Sequence, residues 1–242
     1  MSDLYTAIVS ELKRHADKEG IEIAKRYHKY DGYESYGLLT PLLRKFLKQH
    51  NKDIQVLNCK DTLALAQKFY SSHIEEQVLV GNYVLQLKID CLTPSQFSYL
   101  DKAVDHFRSW SQIDDFCVEG GKVLSPLLVK YPRETLVLLR KWNKSKNMWK
   151  RRASVVPFTR IVGESGAFTK EGLELCKNLV WDKEDLVQKA VGWALKDMMR
   201  GNKRKVLDYV KQIRRAGVPA TITLYAIRDL RSKERQEVLS IK

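Results

Sequence analysis

Phe107-Arg108-Ser109-Trp110-Ser111-Gln112-Ile113-Asp114-Asp115 reads as the entrance to a helix, and that reading sets the fold class. Ser109 followed three residues later by Gln112 fits a capping box, in which two side chains take up amide donors left open at a helix start. Trp110 and Asp114 then stand four apart, on one helical face near the positive end of the dipole, where a carboxylate stays ionised. Taken alone, the stretch favours the plainer reading, with Trp110 a core anchor and Asp114 merely complementing the dipole.

Outward from this stretch the helical period continues. Apolar residues recur at three and four positions, as in Leu4, Ile8 and Leu12 and in Ala66, Phe69 and Tyr70, and strand-like alternation is nearly absent. Thr40-Pro41, Thr93-Pro94, Tyr131-Pro132 and Val218-Pro219 put proline where a first helical turn tolerates it. Gly32, Gly37, Gly166 and Gly201 sit at joints. The pattern predicts helices over about 2 to 18, 21 to 30, 40 to 50, 61 to 71, 73 to 89, 94 to 107, 110 to 130, 132 to 143, 147 to 164, 169 to 180, 184 to 200, 203 to 215, 219 to 230 and 232 to 241. Consecutive pairs recur at intervals of roughly 35 to 40 residues, the period of HEAT-like units. Pro157 is expected to kink or split the segment that holds it.

The 242 residues carry 43 Lys and Arg against 29 Asp and Glu, a formal charge of +14. Exposed cations in that excess favour a polyphosphate partner over a small neutral ligand. A merely solvated basic surface is the alternative. Cys59, Cys91, Cys117 and Cys176 are spread singly, without metal-ligand spacing, and read as reduced core thiols. Met1-Ser2-Asp3-Leu4 opens no apolar leader, and no run reaches the ~18 apolar residues of a membrane span. A cytoplasmic protein without membrane contact is expected. No phosphate-binding glycine loop, metal site or nucleophilic triad can be read, so no cofactor and no metal are expected.

Two further segments carry candidate chemistry. In Asn147-Met148-Trp149-Lys150-Arg151-Arg152-Ala153, Arg152 follows Trp149 by three, and its guanidinium is suited to hold a phosphate bidentately. A basic run at a helix start conflicts with the dipole, which tilts the reading toward function. In Val187-Gln188-Lys189-Ala190-Val191-Gly192-Trp193-Ala194-Leu195-Lys196, Gly192 inside a helix marks the close approach of another helix or of a ligand. Trp193 beside it is either a core residue or the wall of a site.

In this order and spacing the three segments resemble the AlkD-type DNA alkylation-repair glycosylases. The early blocks Ala24-Lys25-Arg26-Tyr27 and Gly37-Leu38-Leu39-Thr40-Pro41-Leu42-Leu43-Arg44 are similar to that family's first repeats. The resemblance runs nearly the whole chain and implies an all-α fold. Residues 1–242 would form a single domain, a curved solenoid of stacked antiparallel helix pairs. It implies that Trp110, Asp114 and Trp193 frame the deoxyribose of a lesion, with Arg152 supporting the site. Tyr27, Arg44, Arg160, Lys189 and Lys196 join Arg152 as candidate DNA contacts. Several positions depart from the family pattern. Ser109 stands where an aromatic is frequent, and Arg160 and Lys196 exchange Lys and Arg.

The implied reaction is hydrolysis of the N-glycosidic bond of N3- or N7-alkylated purines in duplex DNA. The alkylated base is cationic and leaves without an acid. The barrier is the oxocarbenium-like charge on deoxyribose, which Asp114 would stabilise while orienting water. The faces of Trp110 and Trp193 would favour the cation through their π electrons. The resemblance implies a grip on backbone and sugar, without a base-flipping pocket. A monomer is expected. Two rival readings remain at this point, a non-catalytic helical-repeat DNA binder and a scaffold that binds proteins.

Overall fold

The structure is a computed structural model that describes residues 2–28, 32–118 and 122–241. It is all helical, and the one β-type pairing among the described residues is an isolated parallel bridge between Glu34 and Ile74. Its contacts divide the chain into two compact units, residues 1–123 and 124–242.

The first unit holds α1 (Ser2–Arg14), α2 (Lys18–Tyr27), α3 (Thr40–Leu47), α4 (Asn51–Gln55), α5 (Cys59–Tyr70), α6 (Glu75–Leu87), α7 (Phe97–Ala103) and α8 (Trp110–Cys117). Consecutive helices pack as hairpins, α5 on α6, and α8 then lies on α6. The core of this layer is Leu65, Phe69, Val78, Val80, Phe107 and Phe116, all fully or nearly fully buried. Phe107 meets Phe116 edge to face at 5.4 Å, an arrangement that the ring quadrupoles favour.

The second unit holds α9 (Leu124–Lys130), α10 (Pro132–Asn143), α11 (Met148–Ala153), α12 (Arg160–Ser165), α13 (Thr169–Leu179), α14 (Asp185–Gly201), α15 (Lys203–Arg215), α16 (Ala220–Ala226) and α17 (Ser232–Leu239). Here α14 is central and touches α11, α12, α13, α15 and α16. Gly192 explains the tightest of these crossings. A Cβ there would stand 2.4 Å from Tyr225 Cβ and 2.8 Å from Ile222 O, so only glycine lets α14 and α16 approach this closely. The residue's partner is a helix.

Several expected boundaries shift. The helix expected over 110 to 130 is two helices, α8 and α9. The signal was in the sequence as Gly120-Gly121, a breaker pair that helical periodicity on either side obscured; both glycines lie outside the described residues. The segment around Pro157 splits into α11, a 3-10 turn Val156–Phe158 and α12. Pro157 is the second residue of that turn, where its missing amide is tolerated. The helix expected over 40 to 50 reaches His50 only by a 3-10 turn, and α4 follows it directly.

The four cysteines do not all stay reduced. Cys59 and Cys91 form a disulfide with Cα atoms 5.2 Å apart, while Cys117 and Cys176 are buried free thiols. A separation of 32 residues carries no local signal. The α5–α6 hairpin brings the two ends together.

Candidate functional site

In the first unit the capping of α8 sets the site. Ser109 Oγ accepts the Gln112 amide at 3.1 Å, and Gln112 Oε1 accepts the Arg108 amide at 2.6 Å. The serine half of the expected capping box is present, and the glutamine half is displaced by one residue. This start directs two neighbouring faces of α8. Trp110 is half-buried, and Asp114, one turn later, is only 7 % exposed.

Trp110, Ser111, Asp114, Asp115, Thr40 and Arg44 line one open cavity of about 260 Å³. Three expected site residues, Trp110, Asp114 and Arg44, therefore share a single cavity within one unit. Arg44 reaches it from α3, and its Nη2 lies 3.5 Å from Asp115 Oδ1. Asp115 in turn accepts Asn82 Nδ2 at 2.9 Å. The buried amide thus fixes the carboxylate, and the carboxylate steadies the guanidinium at the opening.

The Trp110 ring is backed by two more rings. His28 stacks on it at 5.0 Å and 24°, and Tyr33 stacks on His28 at 4.4 Å and 16°. Burial lowers the His28 pKa to about 4, so the imidazole is neutral at pH 7 and packs as an aromatic ring. Burial also raises Tyr33, helped by the nearby Glu75 carboxylate. Glu75 itself is pushed up to about 7 by burial, with the Ser109 and Ser111 hydroxyls opposing the shift. Tyr27, the last residue of α2, is 73 % exposed.

In the second unit a different group surrounds Trp193. The Arg160 guanidinium stands over its ring, 5.2 Å from the centroid, a cation–π arrangement. Arg160 adopts φ +53°, uncommon for a residue with a side chain. Its amide donates to Asp197 Oδ2 at 2.8 Å. Asp197, 1 % exposed, also receives Lys196 at 3.1 Å and Arg200 at 4.0 Å. Arg200 pairs with Glu164 and, at 2.5 Å, with Asp229. Lys196, Arg200, Lys203 and Asp229 line a second open cavity of about 280 Å³.

Two other expected contacts in this unit have partners within it. Arg152 is 5 % exposed and its Nη1 donates to Leu186 O at 2.5 Å, which ties α11 to the first turn of α14. Its neighbour Arg151 takes Asp182 at 2.6 and 3.2 Å. Lys189 pairs with Asp185 one turn earlier at 2.6 Å. Trp149 is 8 % exposed and packs in the core.

Sequence reasoning passed over His28, Tyr33, Glu75, Asp115 and Asp197. Glu75 looks like any acid in a first helical turn, and Asp115 was hidden beside Asp114. Asp197 offered one usable signal, since it stands four residues after Trp193 on the same face of α14. Among the described residues no group of three or more His, Cys, Asp or Glu side chains is placed to hold a metal ion. No described helix is long and apolar enough to cross a membrane.

The sequence matches a family model described as DNA alkylation repair enzyme over residues 8–230. Among solved structures, one described as a predicted DNA alkylation repair enzyme from Enterococcus faecalis superposes with a TM-score of 0.73. It is 16 % identical, and the alignment covers 88 % of this chain and 96 % of that one. A curated relative, one of the subunits of an ATP-dependent helicase/deoxyribonuclease from Staphylococcus aureus (strain MRSA252), is 23 % identical over 108 residues. That match takes in 44 % of this chain but spans only 9 % of the relative's length.

Proposed function

The chain belongs to the DNA alkylation repair enzyme family, and from that premise we propose that it is a DNA glycosylase releasing N3- and N7-alkylated purines from duplex DNA. The observation that carries this reading is the cavity shared by Trp110, Asp114 and Arg44. An indole face, a carboxylate and a cation are the three groups that a departing cationic base leaves useful at a deoxyribose.

Alkylation at N3 or N7 places a positive charge on the purine, so the glycosidic electron pair moves to the base without prior protonation. Positive charge then grows on C1′ and the ring oxygen of the sugar. The Asp114 carboxylate meets that charge and orients the water that adds to C1′. Its burial excludes bulk water and raises the value of the interaction. The Trp110 ring offers its π face to the same charge, and Arg44 takes the adjoining phosphate, with Asp115 keeping it in place. The cavity is open, which suits a grip on sugar and backbone with the base left outside.

In the second unit Arg160, Lys189 and Lys196 supply further phosphate contacts, and Trp193 meets DNA with one face of its ring already under Arg160. Arg152, bonded to Leu186 O, supports this surface by holding α14.

The test is release of free 7-methylguanine or 3-methyladenine from methylated duplex DNA, followed by chromatography. Wild type is expected to release base, and Asp114→Asn is expected to lose release while still binding DNA. A wild type that binds DNA but releases no base makes the chain a non-catalytic DNA-binding relative. One that neither binds DNA nor releases base removes the reading altogether.

A further inference from the structure

Trp110 follows Ser109, the cap residue of its helix, and that serine reaches a buried carboxyl. Ser109 Oγ donates to Glu75 Oε2 at 2.6 Å, and the Ser111 hydroxyl lies close enough to oppose the rise in the Glu75 pKa. Glu75 opens α6 and is 6 % exposed. Its amide is already fixed by Glu34 O at 2.8 Å, so the side chain is anchored from behind.

The loop before α3 does not need Glu75. The adjacent Glu76 receives the Ser35 hydroxyl and the amides of Tyr36 and Leu38, at 2.8, 2.8 and 2.9 Å. What Glu75 bonds with its side chain is the hydroxyl of Ser109, the residue directly before the indole. The chemistry of the acceptor fits that task. A carboxyl oxygen accepts the Ser109 hydroxyl, whereas an amide in its place brings a competing donor. The arrangement is costly for stability alone. The group is buried, and the charges brought near it, Glu76 and Asp115, are of its own sign.

We propose that Glu75 is a positioning residue for Trp110: through Ser109, the cap of α8, it fixes where the indole stands beside Asp114 in the cavity. The proposal rests on the reading of that cavity as the reaction site. His28 and Tyr33 cover the ring, and Glu75 holds the backbone turn from which the ring projects. Together they leave the indole little freedom to follow the sugar as it flattens, so its face is set in advance.

The experiment uses the full chain with ¹⁵N-labelled indoles. Its five tryptophans give separate ring N–H resonances, and Trp110→Phe identifies the one that matters. In Glu75→Gln the Trp110 resonance is expected to shift or broaden while the other four hold. Single-turnover base release is expected to fall about tenfold with DNA affinity unchanged, as for a small misplacement of a reacting group. Ser109→Ala, which keeps the carboxyl and removes the hydroxyl that bonds to it, is expected to do the same.

An unmoved Trp110 resonance in both variants overturns the proposal, and so does a lost rate with the resonance in place. If Glu75→Gln fails to fold, Ser109→Ala decides by the same two readouts. A wild type that releases no base removes the glycosylase reading but leaves the resonance comparison to decide whether Glu75 positions the indole.

Discussion

The two tryptophans singled out by their motifs have opposite surroundings. Trp110 is backed by a neutral stack, His28 then Tyr33, and shares its cavity with the carboxyls of Asp114 and Asp115 and one guanidinium. Trp193 carries a guanidinium on its ring, with Lys196 and Arg200 nearby on the same buried Asp197. An indole with an uncharged backing and a carboxylate beside it suits a cation that develops during reaction. An indole already under a cation suits a phosphate, because the guanidinium keeps its donors outward while its face is spent on the ring. On the function proposed above, the two Trp-centred motifs take different tasks, and the difference lies in what covers the ring.

The strongest way to break that contrast is Asp114→Asn. If the Trp110 cavity performs the chemistry, single-turnover release should fall by about 10²- to 10³-fold, the usual cost of removing one preorganised charge-stabilising group. DNA affinity should remain. Release at the wild-type rate would leave the Trp110 cavity as a second binding surface and erase the contrast.

The next largest effect tests the scaffold of Trp193. Gly192→Ala should destabilise the protein by about 1 to 3 kcal/mol through overpacking, read as a lowered urea midpoint. The added methyl has backbone and Tyr225 Cβ in its way, neither of which yields easily. An unchanged midpoint would mean that α14 and α16 can separate without loss.

Arg160→Ala sharpens the contrast more gently. Removing one phosphate contact should lower DNA affinity at low salt and reduce the slope of log affinity against log salt by about one. His28→Phe, which keeps a neutral ring on Trp110, should leave that slope alone. Equal slopes in the two variants would contradict the division of labour.

The smallest effect is a pH signature confined to the Trp110 side. Glu75 has a folded pKa near 7 against 4.5 for the free side chain. Its neutral form therefore favours folding, a contribution full below about pH 4.5 and lost as pH rises through 7. His28 runs the other way, with a folded value near 4 against 6.5. Its contribution is present above 6.5 and lost as pH falls toward 4. Between pH 4.5 and 6.5 the two oppose each other. Relative to wild type, Glu75→Gln should gain stability with rising pH, and His28→Phe should lose it. Melting temperatures at pH 4.5, 5.5, 6.5 and 7.5 give the two differences, and parallel curves would refute both assignments.

Much of the fold was legible because helices are written locally. The spans 132 to 143 and 203 to 215 stand as α10 and α15 without change, each with proline or a clear polar break at its start. Ser109 was legible as a cap, since its partner is three residues away. The sequence misleads where a local signal is overruled by packing or masked by its neighbours. Periodicity runs across Gly120-Gly121, and the basic run at the start of α11 suggests a side chain open to a phosphate, although Arg152 turns inward to Leu186 O.

What the sequence determined by itself, then, is the helical content, the caps, the face shared by Trp110 and Asp114, and a basic excess suited to nucleic acid. These follow from contacts three or four residues apart, whose geometry the helix repeats everywhere. Tertiary structure alone decided that Cys59 meets Cys91, that Gly192 admits α16, that Arg160 covers Trp193 and that Glu75 answers Ser109 beside Trp110. Each of those contacts joins residues some thirty or more positions apart. Their meeting depends on which helices pack together, and no short-range preference encodes that.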